Sequence, residues 1–208
     1  MAILAQLDWP AFLLAMVLIE LTPGPNMGWL AALSAQQGRR PGMIAVAGIT
    51  LGLSVQVIAA ATGLSAIAAQ SALLYDLLRW AGIAFMLYLA WAAWAESGDE
   101  EVSRAAAERS FRRGLVSNLL NPKALVFYMV VVGQFTLVSA GPIWAQILIL
   151  GGLHVLVALI VHSAIVLLGA SIGTRLDRWR RSVPIRLFFA VTLAAMALWI
   201  ALTTGRRA

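Results

Sequence analysis

Long apolar runs separated by short charged gaps make up most of the chain. Trp9 to Gly38 carries a single charge, Glu20, and Pro41 to Tyr75 and Trp80 to Ala95 carry none. Gly114 to Thr174 carries only Lys123, and Leu187 to Gly205 carries none. A helix that crosses a bilayer needs about 20 apolar residues. The run from 114 to 174 is long enough for two such helices, and Ser139-Ala140-Gly141-Pro142 supplies the turn between them. The pattern predicts an all-α integral membrane protein with six transmembrane helices, at roughly 10–36, 43–69, 77–95, 112–138, 143–172 and 184–204.

The gaps set the orientation. Arg39 and Arg40, then Arg104, Arg109, Arg112 and Arg113, then Arg175, Arg178, Arg180, Arg181 and Arg186 fall on one side, eleven in all. Arg79, Arg206 and Arg207 fall on the other. The positive-inside rule places the eleven-charge side in the cytoplasm and both termini outside. Glu96, Asp99, Glu100 and Glu101 barely affect this, because the rule counts Lys and Arg.

Composition agrees. Of 208 residues, 62% are hydrophobic and 12% charged, against about 25% charged in soluble domains, and the mean hydropathy is +0.88. A soluble domain of this size has too little interior for that much apolar surface, which excludes a soluble enzyme, a nucleic-acid binder and a disordered chain. The pI near 11.0 reflects arginines in short loops. The basic stretch 173–186, with Trp179, reads as an interfacial loop near anionic headgroups. There is no cysteine, so disulfides and thiolate chemistry are absent. No Lys or Arg precedes Arg39, so the start lacks the basic region of a signal peptide, and the first apolar stretch is expected to stay in the mature protein.

The polar stretch 96–111 divides the spans three and three, so the halves are expected to have opposite orientation. The chain reads as one transmembrane domain over 1–208, with repeat one at 9–95, a cytoplasmic linker at 96–111 and repeat two at 112–205. The first span of each half is interrupted, by Thr22-Pro23-Gly24-Pro25-Asn26 and by Asn121-Pro122-Lys123. Matching interruptions in corresponding helices are a pointer to a transporter binding site. Thr22-Pro23 and Asn121-Pro122 both read as an N-cap followed by proline at the first helical position. A half-helix starting there presents free N–H groups that need a partner in lipid, and an anion would serve. The alternative is a plain proline kink, with side chains or water satisfying the backbone.

Away from the span ends, where Arg79, Arg112, Arg113 and Arg186 lie, Glu20 and Lys123 are the only Asp, Glu, Lys or Arg residues inside the spans. Such residues cost about 2.5–3.5 kcal/mol each at a helix centre and generally face a partner or cavity. Glu20 is either a substrate or proton group or a counter-ion. Lys123 is either a substrate group or a snorkelling side chain. Asn26, Gln56, Asn118, Asn121 and Gln134 are amides at membrane depth that line a cavity or bridge helices. His154 and His162 lie about 80° apart round a helix with no carboxylate near them in sequence, so no metal site is read there; a proton-relay role stays open. Gly48/Gly52 and Gly169/Gly173 have the Gly-x-x-x-Gly spacing that permits close helix contact.

At these residues the chain resembles the lysine exporter (LysE/RhtB) family of bacterial amino-acid exporters. The similar stretches are LTPGPN at 21–26, AGITLG at 47–52, LLRWAGIAFMLYLAW at 77–91 and FRRGLVSNLLNPKALVFYMVVVGQF at 111–135. The resemblance implies six spans, a cytoplasmic (inner) membrane location and amino-acid efflux driven by the proton-motive force, without an enzymatic activity or cofactor. Two positions depart from the family pattern: Gln56 stands where histidine is frequent, and Gly133 where proline commonly precedes Gln-Phe.

The leading reading is a secondary exporter of an amino-acid-like zwitterion. Glu20 would meet the ammonium, and Lys123 with the half-helix N-termini the carboxylate. Protons are the coupling ion that the resemblance implies, and exposed small-residue faces are compatible with a homodimer. The alternatives are a membrane scaffold or assembly protein, in which the prolines only bend helices, and a channel. An intramembrane enzyme has against it the lack of a His-Glu-x-x-His pair, a Gly-x-Ser-x-Gly elbow or paired aspartates.

Overall fold

The computed structural model describes residues 8–22, 24–63, 72–95, 104–121, 123–124, 127–128, 132–175 and 182–203. Pro23, Pro122, the acidic cluster within 96–103 and the basic stretch 176–181 lie outside the described residues.

The described elements are α1 (Trp9–Leu21), α2 (Pro25–Gln37), α3 (Arg39–Ala61), α4 (Ala72–Ala95), α5 (Arg104–Leu119), the short α6 (Val132–Gln134), α7 (Ile143–Arg175) and α8 (Val183–Thr203). No strand occurs among the described residues. By length and composition, α3 and the stretch Ile143–Gly173 of α7 can each cross a membrane. The pair α1 and α2, bent by 50° at their junction, also passes when taken as one broken span. Trp80–Ala95 and Val183–Leu198 are shorter apolar helical stretches. Outward-facing Leu14, Leu18, Leu168, Phe188 and Leu198 are each about 60% exposed, an apolar exterior suited to lipid.

Local chemistry explains the boundaries. The Asp8 carboxylate accepts from the Ala11 N–H at 3.1 Å and caps α1. Gly38 alone separates α2 from α3, at φ +89°, a left-handed conformation that glycine adopts without a Cβ clash. In the first turn of α7, the buried Gln146 amide donates back to the Leu137 and Gly141 carbonyls and accepts from the Leu137 N–H. That ties down the turn expected at 139–142.

One boundary differs from the sequence reading. α5 begins at Arg104, so the last eight residues of the expected linker are helical. The run Arg-Ala-Ala-Ala-Glu-Arg consists of strong helix formers, and the helix continues into a close contact with α3. A Cβ on Gly114 would lie 2.2 Å from the Ala45 carbonyl oxygen, and one on Gly48 2.1 Å from that of Phe111. The second glycine pair works the same way against α2: a Cβ on Gly169 would meet the Ser34 hydroxyl at 2.2 Å, and one on Gly173 the Ala35 carbonyl at 2.3 Å. Larger residues would force these helices apart. The close contacts clamp α2, α3, α5 and α7 around the two helix breaks.

Candidate functional site

The first break is set by two consecutive X-Pro steps. A residue before proline is driven out of the α region. Thr22 is extended (ψ 120°) and Gly24 is extended (ψ 171°). Thr22 therefore ends α1: its N–H reaches the Leu18 and Ile19 carbonyls, and its hydroxyl donates to the Leu18 carbonyl at 2.7 Å. The N-cap of α2 is Gly24, with Pro25 at the first helical position. This corrects the expectation that Thr22 caps the new half-helix. The second proline, two residues on, delays the start.

At the second break the expected cap is present. The Asn121 Oδ1 accepts from the Lys123 N–H at 3.0 Å, the bond of an N-cap to its second helical residue. Helical backbone resumes at 123–124, and residues 127–128 are in π-helical geometry, a form that recurs at functional sites.

The two breaks face each other. The Lys123 Nζ donates to the Thr22 carbonyl at 2.7 Å. Its stem lies over Gly24, where a Cβ would sit 3.2 Å from Lys123 Cδ. The half-buried Lys123 side chain thus reaches across to the first break. Asn26 is tied to α5, its Oδ1 accepting from the Ser117 hydroxyl at 2.8 Å.

Between the breaks lies a cavity lined by Glu20, Gly24, Asn26, Asn121, Lys123, His154 and His162, with an apolar wall of Ile19, Met27, Ala124 and Phe127. Its volume is about 20 Å³, room for a water molecule and far too little for an amino acid. The N-terminus of α2 and the Asn121 cap both border it, and the dipole of α2 presents its positive end there.

Glu20 does not pair with Lys123. Its Oε1 is 2.9 Å from the His154 Nε2, and both side chains are buried. The carboxylate that the histidines lack in sequence comes from α1, 134 positions away. On its other edge His154 Nδ1 is 2.6 Å from the Tyr128 hydroxyl, and the Phe127 ring packs on its face at 4.1 Å between centroids. Two buried atoms of cavity-lining residues have no hydrogen-bond partner among the described residues: Glu20 Oε2 and His162 Nδ1.

Not every residue singled out in the sequence reaches this cavity. Gln56 and Asn118 meet each other at the α3–α5 contact, where the Gln56 amide donates to the Asn118 carbonyl at 3.2 Å and the Asn118 side chain lies against Gly52. Gln134 is exposed at the end of α6. Tyr128, Phe127 and Ser117 were passed over in the sequence. A tyrosine hydroxyl inside an apolar run needs a partner when buried, and that signal was there to be read.

The profile described as LysE type translocator matches residues 17–204. The chain belongs to the LysE family. It is similar to the homoserine/homoserine lactone efflux protein of Salmonella typhimurium, 31% identical over 175 residues covering 82% of each chain. It is also similar to an uncharacterized membrane protein of Vibrio cholerae, 31% identical over 182 residues and 84% of each chain. A leucine efflux protein of Klebsiella pneumoniae is 29% identical over 139 residues, 64% of this chain and 66% of the relative. No solved structure matches. Members of the LysE family are translocators and not enzymes. The cavity between the broken helices is thus to be understood as part of a membrane transporter.

Proposed function

We propose that this LysE family protein is a secondary exporter of small neutral amino acids, driven by the proton gradient across the bacterial inner membrane. The observation that carries the reading is the convergence of both helix breaks on one cavity with Glu20, Lys123, His154 and His162. A zwitterion needs one acceptor of ammonium protons and one donor to carboxylate. Glu20 Oε2 supplies the first; Lys123, beside the half-helix N-termini, supplies the second. Among the lining residues, Glu20 and Lys123 are the only carboxylate and the only ammonium. A third charge, on a lysine or aspartate substrate, would enter the membrane interior without a partner, at a cost of several kcal/mol. The relatives are named for homoserine/homoserine lactone efflux and for leucine efflux; homoserine and leucine are neutral zwitterions that fit this charge balance, and the lactone, without a carboxylate, would use the Glu20 contact alone. The same relatives weigh against the scaffold reading.

The proposed architecture is six spans in two inverted three-helix repeats, 9–95 and 112–205, forming a single transport domain with both termini outside. The cavity is too small for substrate, so export requires the two halves to move apart toward each side in turn. Protein in liposomes is expected to release preloaded homoserine, threonine or leucine and to retain lysine and aspartate. Preference for a charged amino acid, or release of none, overturns the reading. Reporter fusions are expected to place Ser97 in the cytoplasm and Ala208 outside, and the reverse pattern inverts the topology.

A further inference from the structure

His154 bonds one oxygen of Glu20 and leaves the other free. An ionised carboxylate only accepts hydrogen bonds, so whenever Glu20 is ionised the proton shared with Oε1 sits on His154 Nε2. The imidazole Nδ1 is then an acceptor, and the Tyr128 hydroxyl donates to it. Tyr128 lies in the π-helical turn and is 2% exposed. As a donor, its hydroxyl favours the tautomer that presents Nε2–H to Glu20. Oε1 is committed, while Oε2 is buried with no partner among the described residues.

We propose that Oε2 of Glu20 is a single seat for which the coupling proton and the substrate ammonium compete, and that Tyr128, acting through His154, is the positioning residue that keeps this seat an acceptor. This rests on the reading of the cavity as the amino-acid site. A carboxylate oxygen that holds a proton turns from acceptor to donor, so it cannot also accept from an ammonium. The exchange balances. On the cytoplasmic side the proton leaves Oε2 for water as the ammonium arrives; on the far side the ammonium leaves and a proton from water takes its place. Each cycle moves one neutral zwitterion out and one proton in, with no other co-reactant.

The titratable groups facing Glu20 are His154 and His162 on α7 and Lys123 and Tyr128 beyond the second break; α1 and α2 add none among the described residues that line the cavity. Replacing Tyr128 with phenylalanine removes the donor to Nδ1. His154 can then adopt the other tautomer and accept a proton from Glu20 at Nε2, so Glu20 holds its proton up to a higher pH.

The experiment is homoserine binding to purified protein in detergent, in weakly buffered solution from pH 5 to 9, with a pH indicator. Wild type is expected to release a proton on binding at acid pH, approaching one per homoserine, and none at alkaline pH. Apparent affinity should fall about tenfold per pH unit below the midpoint. Tyr128→Phe is expected to move that midpoint upward by about one pH unit with folded yield close to wild type. Binding without proton release at any pH overturns the competition. A Tyr128→Phe midpoint equal to that of wild type overturns the role of Tyr128, and a loss of yield with an unmoved midpoint marks it as packing alone. Absence of homoserine, threonine and leucine binding by wild type overturns the function reading itself and this inference with it.

Discussion

Lys123→Met is expected to abolish amino-acid export while leaving the protein in the membrane at near-normal amounts. The substitution removes a charge whose insertion is costly, so it does not oppose membrane insertion. It also removes the Nζ bond to the Thr22 carbonyl and the ammonium proposed to meet the substrate carboxylate. A hydrogen bond to a charged group is worth about 1.5–3 kcal/mol, so export should fall by roughly 10–100-fold from weakened binding alone. Losing the link between the two breaks can only add to that. The check is efflux from cells preloaded with homoserine, with the membrane content of the variant measured beside it. Normal efflux at normal content would remove Lys123 from the substrate site. A parallel loss of efflux and content would assign it to folding.

Glu20→Gln is expected to leave the fold intact and to eliminate both export and exchange. The glutamine carbonyl can still accept from His154 Nε2–H, so that imidazole keeps its partner. Lys123 keeps the Thr22 carbonyl, and no charge is orphaned. A double change with Lys123→Met therefore gains no yield over Glu20→Gln, the reverse of what a direct Glu20–Lys123 pair would require. The amide nitrogen would occupy the seat of Oε2 as a donor and repel an ammonium. Exchange of labelled homoserine across liposomes should drop at least about tenfold at every pH, because a charge-assisted bond is lost. Glu20→Gln protein that exports at wild-type rate would remove Glu20 from the mechanism.

Much of this was legible in the sequence because lipid imposes simple rules. Apolar runs marked the helices, and prolines marked both breaks, since a residue before proline leaves the α region wherever it occurs. The position of the cap at the first break was not legible. Thr22 is the better capping side chain, yet Pro25 rather than Pro23 starts α2, and only the backbone at Gly24 decides between them. The partner of Glu20 was hidden for a different reason. His154 is 134 positions away, and no local pattern encodes which face of α7 meets α1. Gln56, Asn118 and Gln134 show the limit of polarity as a guide. An amide in an apolar run signals a contact at depth, but Gly52 draws Asn118 toward α3, and Gln134 sits exposed at the end of the short α6.

The central claim is that the amino acid binds between the two helix breaks, and the absence of native cysteine makes it directly measurable. Ala124 lines the cavity and is 7% exposed, so Ala124→Cys introduces a lone thiol with little change in volume. The measurement is the rate at which a small thiol reagent modifies that cysteine in membranes, with and without saturating homoserine, in protein that still exports. The account predicts that homoserine slows modification severalfold and that lysine at the same concentration does not. An unchanged rate in an export-competent variant would place the substrate elsewhere and contradict the account.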